Sequence, residues 1–145
     1  MATARLPRPG IATTATAAFV ALLIRLAVRT ARFDRVTATV RWLASMTRRE
    51  ATTDEVLRVL CAVDAGAAWV PVRIACLERS LTALVLLAAR RSGVTWQMGV
   101  RTPPLAAHAW LIDPHGEPIG EPSTIAAYRP LITISAPTVP NRSTT

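Results

Sequence analysis

The chain has 145 residues, 51% of them hydrophobic, and a formal net charge of +8. This length and apolar content agree with one small domain that buries its own core. Two His and two Cys lie far apart in the sequence. They give no close-spaced ligand pair for a metal and no disulfide framework, and no Gly-rich phosphate loop is present. We therefore predict no metal, no cofactor and a reducing, cytoplasmic location.

The basic residues are concentrated at the start, because residues 1–50 hold nine Arg against two acidic residues. Residues 11–33 form an apolar run that carries Arg25, Arg29 and Arg32 on one helical face. Its uncharged part has 14 residues, fewer than the roughly 20 that span a bilayer. The run continues into arginines instead of a signal-peptide cleavage site. We predict an amphipathic helix that packs on the domain, on a partner or on an anionic surface.

Three further helices follow in chain order. The second is predicted at about residues 36–47. The third begins at a capping box, Thr52 with Glu55, and is expected to end at Gly66. The fourth begins at Cys76, because apolar residues recur from there at intervals of three and four until about residue 91.

After the fourth helix the period changes to two. Residues 95–100 and 108–112 alternate as half-buried strands, and a turn at residues 113–116 lets residues 117–119 pair back as a hairpin. Residues 136–145 are rich in Pro, Ser and Thr and predict a disordered tail. The order predicts an α+β fold, with a helix packed on a small antiparallel sheet.

Cys76 and His108 suggest a cysteine nucleophile and its base. A thiol at a helix start is activated by the unpaired N–H groups of the first turn, and Cys76 stands at such a position. A buried core cysteine is the alternative, and it is the interpretation we give to Cys61, on an apolar helix face. His115 lies in a polar turn and is most simply a solvated residue.

Five short segments, in this order, resemble the leader peptidase of lasso peptide biosynthesis: Cys76–Ser80, Gly99–Arg101, Ala107–Trp110, Gly120–Pro122 and Tyr128–Leu131. The resemblance covers roughly residues 50–134. It implies a transglutaminase-like, papain-like core that cuts the leader from a ribosomally made precursor. The implied organisation is a basic helical extension at 1–50, a peptidase core at 51–135 and the tail.

The resemblance also implies roles for individual residues. Cys76 would be the nucleophile, His108 its general base and acid, and an acidic residue about a dozen positions later would orient the imidazole. Glu121 fills that place beside a glycine, and Asp113 is the alternative. Arg79 either braces a carboxylate such as Glu78 or Glu121 or is solvated. Trp110 packs in the core or shields the base from water.

The implied partners are the precursor peptide, a separate leader-recognition protein and a lasso cyclase. The first 50 residues are too short and too helical for a fused recognition domain of the winged-helix type. A rival interpretation is a non-enzymatic protein whose Arg-rich helix contacts a membrane surface or an acidic partner. Nucleic acid is not expected as a partner, because the basic face lacks interleaved aromatic residues.

Overall fold

A computed structural model describes residues 8–136 of the chain. In chain order its elements are α1 (Ile11–Thr30), α2 (Phe33–Met46), β1 (Arg49–Glu50), α3 (Thr53–Ala68), α4 (Cys76–Ala89), β2 (Ser92–Gly93), β3 (Thr95–Arg101), β4 (Ala106–Ile112), a 3-10 helix (Ser123–Ala127) and β5 (Arg129–Ile134). The predicted tail lies outside the described residues, except for Ala136.

The main sheet has three antiparallel strands in the order β4-β3-β5. In its register Trp96 lies opposite Leu111, and Gly99 lies opposite His108. The structure thus contains the two strands that the alternating pattern predicts. It adds β5 on the other side of β3 and a short parallel pair of β1 with β2, neither of which was predicted.

The hairpin that follows β4 lies along the outer edge of the sheet. The N–H of Asp113 donates to the carbonyl of Glu117, and the N–H of Ile119 donates to the carbonyl of Leu111, each at 2.9 Å. These bonds show the predicted backward pairing of residues 117–119. As a result the chain leaves Ile119 alongside β4, and Glu121 follows two residues later.

Helix α4 packs on the sheet through a buried polar contact as well as apolar side chains. Trp96 of β3 is fully buried, and its Nε1 donates to Oγ of Ser80 in α4 at 3.0 Å. Leu87 of α4 and Leu111 of β4 fill the same core. The bond satisfies the indole N–H, which would be costly to bury without a partner. The predicted α+β class is confirmed.

Helices α1 and α2 share this core. Ala17, Val36, Val40 and Leu43 belong to the same buried cluster as Trp96. Residues 11–46 therefore pack into the same core as the sheet.

Thr52 caps α3 as predicted, because its side chain accepts a hydrogen bond from the N–H of Glu55 at 3.2 Å.

Gly66 does not end α3, so that prediction is wrong. The helix continues to Ala68, and Gly66 is buried inside it. A Cβ at this position would lie 2.7 Å from the backbone N of Ala18 and 2.9 Å from the carbonyl O of Thr14. Gly66 is thus where α1 and α3 cross at backbone contact, a packing role that leaves no trace in hydrophobic periodicity.

We expect Gly66→Ala to lower the free energy of unfolding by about 1–3 kcal/mol, the usual cost of overpacking a core. Backbone atoms of α1 face the new methyl group, so relief requires the two helices to separate. Urea denaturation would measure the loss. Gly10→Ala is the control, since nothing lies within 4 Å of a Cβ there; equal stability of the two variants would contradict the close crossing.

Candidate active site

Cys76 is the first residue of α4 and follows Ala75, whose backbone is extended with a ψ of 167°. Its thiol is free and half-buried. The backbone N–H groups of a first helical turn have no partner within the helix, and their partial positive charge stabilises an anion placed there. The position therefore suits a residue whose sulfur bears negative charge during a reaction.

The start of α4 is held in place by Glu78. This residue is buried, and its carboxylate accepts from the N–H of Ala75 at 2.8 Å. Arg25 of α1 lies 3.4 Å from the same carboxylate and also donates to the carbonyl of Arg73 in the preceding loop. Helix α1 thus fixes the segment that leads into Cys76.

His108 lies on β4 and bonds to a carboxylate. Its Nε2 is 2.8 Å from Oε2 of Glu121, whose side chain is only 6% exposed. Because Nε2 faces the carboxylate, Nδ1 is the ring nitrogen left for another partner. Asp113, the alternative acid, instead accepts the backbone N–H groups of His115 and Glu117 through Oδ1 and so closes the turn.

Arg79 braces the other oxygen of Glu121. Its Nη1 is 3.3 Å from Oε1 of Glu121, while Nε and Nη2 bond both oxygens of Asp64 at 2.6 and 2.9 Å. The hydrogen bond to Asp64 raises the pKa of Arg79 above its ordinary value, against the opposing effect of burial. A row of charged groups, Asp64, Arg79, Glu121 and His108, thus runs from α3 to β4.

Two aromatic residues enclose the imidazole. The ring of Trp110 stacks near that of His108 with centroids 5.8 Å apart, and the ring of Tyr128 is tilted at 5.4 Å. Trp110 is almost fully buried, and the guanidinium of Arg101 lies over Tyr128 at 5.3 Å. Trp110 therefore both packs in the core and covers the base.

The helix that begins with Cys76 is joined to the His108–Glu121 pair through Arg79. Arg79 follows Cys76 by three residues, and side chains at that spacing share one face of a helix. Arg79 contacts Glu121, and Glu121 contacts His108. Within residues 8–136 no hydrogen bond joins the Cys76 thiol to the His108 ring, and such bonds are often long in enzymes without substrate.

A family model of the transglutaminase-like superfamily matches residues 20–133. The chain belongs to the transglutaminase-like superfamily. The match begins within α1 and ends within β5, so it includes every described element that carries a site residue. This superfamily consists generally of cysteine-dependent enzymes, among them peptidases. No curated protein and no solved structure matches the chain.

In this transglutaminase-like domain, two residues near the site were not anticipated. Asp64 holds Arg79, and Tyr128 packs on His108. Tyr128 lies in one of the five segments that carry the resemblance, but nothing in the sequence of α3 distinguishes Asp64 from the other charged residues of that helix. Cys61 is half-buried rather than buried as expected.

The described residues do not form a ready-made metal site. Among those residues, no group of three or more His, Cys, Asp or Glu side chains is arranged to hold an ion. The chemistry that the described site supports is that of a thiol, an imidazole and a carboxylate.

Proposed function

We propose that this transglutaminase-like protein is a cysteine peptidase that removes the leader from a ribosomally made lasso peptide precursor. The observation that supports the peptidase chemistry is the 2.8 Å pair of His108 with Glu121, which Arg79 links to the helix that begins with Cys76. A nucleophile, a base and a group that orients the base are the three parts of such a site.

The reaction follows from this arrangement. Nδ1 of His108 takes the proton of the Cys76 thiol, and the thiolate sulfur attacks the scissile carbonyl carbon. When the tetrahedral intermediate collapses, the C–N bond breaks and the imidazolium protonates the leaving amine. Water then attacks the thioester, with His108 again as base, and releases the acid and the free thiol. Glu121 stabilises the imidazolium throughout.

The backbone N–H of Cys76 is a donor for the oxyanion of that intermediate. It lies in the first turn of α4, where amide hydrogens have no partner inside the helix. A donor fixed in advance costs no reorganisation when the charge develops.

The choice of a leader peptide as substrate rests on the five segments that carry the resemblance. Each contributes at least one side chain to the site or its supports: Cys76 and Arg79, Arg101, His108 and Trp110, Glu121, and Tyr128. Side chains from segments scattered over more than 50 positions in the sequence are thus linked by contacts that lead to His108 or Glu121. Their convergence supports a common function for the set.

The proposal assigns leader recognition to a separate protein and ring closure to a separate cyclase, both in the cytoplasm. A partner that holds the leader raises the effective concentration of the scissile bond at Cys76. The peptidase site then needs little affinity of its own for the core sequence.

The proposal is tested by mass spectrometry of the precursor after incubation with this protein and the recognition protein. We expect release of an intact leader fragment by the wild type and by Cys61→Ala, and none by Cys76→Ala. The Cys61 variant controls for loss of a half-buried thiol as such. Cleavage by Cys76→Ala, or intact precursor with all proteins folded and the leader bound, would contradict the proposal.

Arg79→Lys should lower kcat by about 10- to 100-fold with little change in KM. Lysine keeps the positive charge but loses the fork that bonds Asp64 on both oxygens, so Glu121 is free to shift, and a displacement of about 1 Å is enough for such a loss. Steady-state kinetics would separate the two constants. Arg41→Lys, on the exposed face of α2, is the control; equal rates in both variants would show that Arg79 does not position the acid.

A further inference from the structure

Helix α1 presents an apolar face to solvent. Phe19, Leu23 and Leu26 are 62%, 50% and 67% exposed, and Ile11 and Leu22 belong to the same group. Their spacing places Phe19, Leu22 and Leu26 on one side of the helix. Soluble proteins rarely leave such a contiguous surface uncovered, and it marks a place where something else binds.

The opposite face of α1 is part of the core. Ala17 and Ala21 are fully buried, and the backbone at Ala18 meets Gly66 of α3. By length and composition α1 is apolar enough to cross a membrane, with a mean hydropathy of 2.0. To do so it would have to leave the core and break the contacts of Arg25 with Glu78. The packing instead suits a helix that lies flat at an interface, with one side in the domain.

A basic cavity adjoins the beginning of this helix. It has a volume of about 240 Å³ and is lined by Arg8, Arg58 and Arg90 together with Pro9, Thr13 and Val59. A second cavity of about 230 Å³ shares Thr13, Val59 and Arg90 and extends along α1 to Thr16. No acidic residue lines either cavity in the described structure.

The two features are adjacent because they share a helix. Thr16 lines the second cavity and precedes Phe19 by three residues. The two side chains are therefore neighbours, about one turn apart, on the surface of α1. Three guanidinium groups without a carboxylate among the lining residues match a phosphate, which arginine binds through paired N–H donors. An apolar face beside a basic cavity with ample room for a phosphate matches the two parts of an anionic phospholipid.

We propose that α1 and the arginine-lined cavity seat this protein on an anionic phospholipid bilayer. The exposed side chains of Phe19, Leu22, Leu23 and Leu26 enter the boundary between headgroups and acyl chains, and Arg8, Arg58 and Arg90 hold a headgroup phosphate. The charge of this region favours an anionic bilayer over a neutral one, since residues 8–33 contain four arginines and no acidic residue. The inference concerns binding and is independent of the peptidase chemistry.

Vesicle flotation of the full chain tests the proposal, with Cys76→Ala as background so that catalysis plays no part. We expect binding to vesicles that contain phosphatidylglycerol, weaker binding at high salt, and little binding to phosphatidylcholine alone. Leu22→Gln with Leu26→Gln should reduce the affinity about tenfold or more, because apolar burial drives insertion. Leu105→Gln with Leu131→Gln is the matched control, because these two leucines are at least as exposed and lie outside α1.

A second variant, Arg58→Gln with Arg90→Gln, separates the cavity from the apolar face. It should lose about fivefold in affinity per arginine for the anionic vesicles while circular dichroism shows an unchanged fold. Three outcomes would overturn the proposal. The first is equal binding to neutral and anionic vesicles, and the second is binding of inorganic phosphate without binding of any vesicle. The third is a parent protein that binds no vesicle, while the leucine variant loses self-association or binding to the recognition protein.

Discussion

Glu121→Gln is expected to lower kcat for leader removal by up to about 10⁴-fold, the loss found when the acidic member of a hydrolase triad is replaced by its amide. Glutamine keeps the size of the side chain and can still contact His108. It offers no negative charge to an imidazolium, and its amide favours the wrong tautomer of the ring. Steady-state cleavage rates with a saturating recognition protein would measure the effect.

Asp113→Asn is the matched control for this experiment. Asp113 bonds two backbone N–H groups in the turn, and the asparagine carbonyl accepts the same bonds, so the rate should stay close to that of the wild type. The opposite pattern, with Asp113→Asn slow and Glu121→Gln active, would transfer the role of third member to Asp113. Equal activity in both would leave the His108–Glu121 pair without a catalytic role.

His108→Gln should reduce kcat by about 10²- to 10⁴-fold, the usual contribution of a positioned general acid and base. The substitution removes both proton transfers, from the thiol and to the leaving amine. It should also slow alkylation of Cys76 near neutral pH, because the thiolate loses its imidazolium partner. Cleavage kinetics and alkylation rates measured on the same variant would check the two effects together.

His115→Gln serves as the control, since His115 is exposed in the turn. Cleavage by His108→Gln at the rate of the wild type would exclude His108 as the base. A slow variant whose Cys76 alkylates as fast as that of the wild type would restrict His108 to protonating the leaving group.

Sequence patterns predicted the helices and the central hairpin well because burial on one side imposes a period. Helix α4 begins at Cys76 as predicted and ends at Ala89, two residues before the expected end. Strands β3 and β4 lie where the alternating sequence pattern predicts them, but their burial does not alternate, since Ala109, Trp110 and Leu111 are all buried. The hydrophobic periodicity of α4 reflects which face of the helix is buried, and that face packs on the sheet.

The features that were missed do not depend on periodicity. Strand β5 begins with three exposed residues and contains Pro130, so its sequence resembles that of a loop. In the structure β5 is an edge strand of the sheet, where proline is tolerated. Gly66 has the sequence signature of a helix end, but backbone contact with α1 decides its role. Asp64 joins the site through Arg79, a pairing that depends on how α3 and α4 pack.

For the candidate site, the sequence indicated residue types and order, whereas the contacts are tertiary. Glu121 and Asp113 were both plausible acids by distance along the chain. The backward pairing of residues 117–119 is what carries Glu121 alongside β4, and it keeps Asp113 within its own turn. Local sequence cannot distinguish the two, because the choice depends on the length of the hairpin.

The central claim is that Cys76 is an activated nucleophile, and selective alkylation tests it most directly. The folded protein would be treated with iodoacetamide near neutral pH and the two cysteines followed by peptide mass mapping. Cys61 is a stringent reference, because it is also half-buried and lies near the Arg79 guanidinium. We expect Cys76 to react far faster than Cys61; equally slow labelling of both would contradict the account.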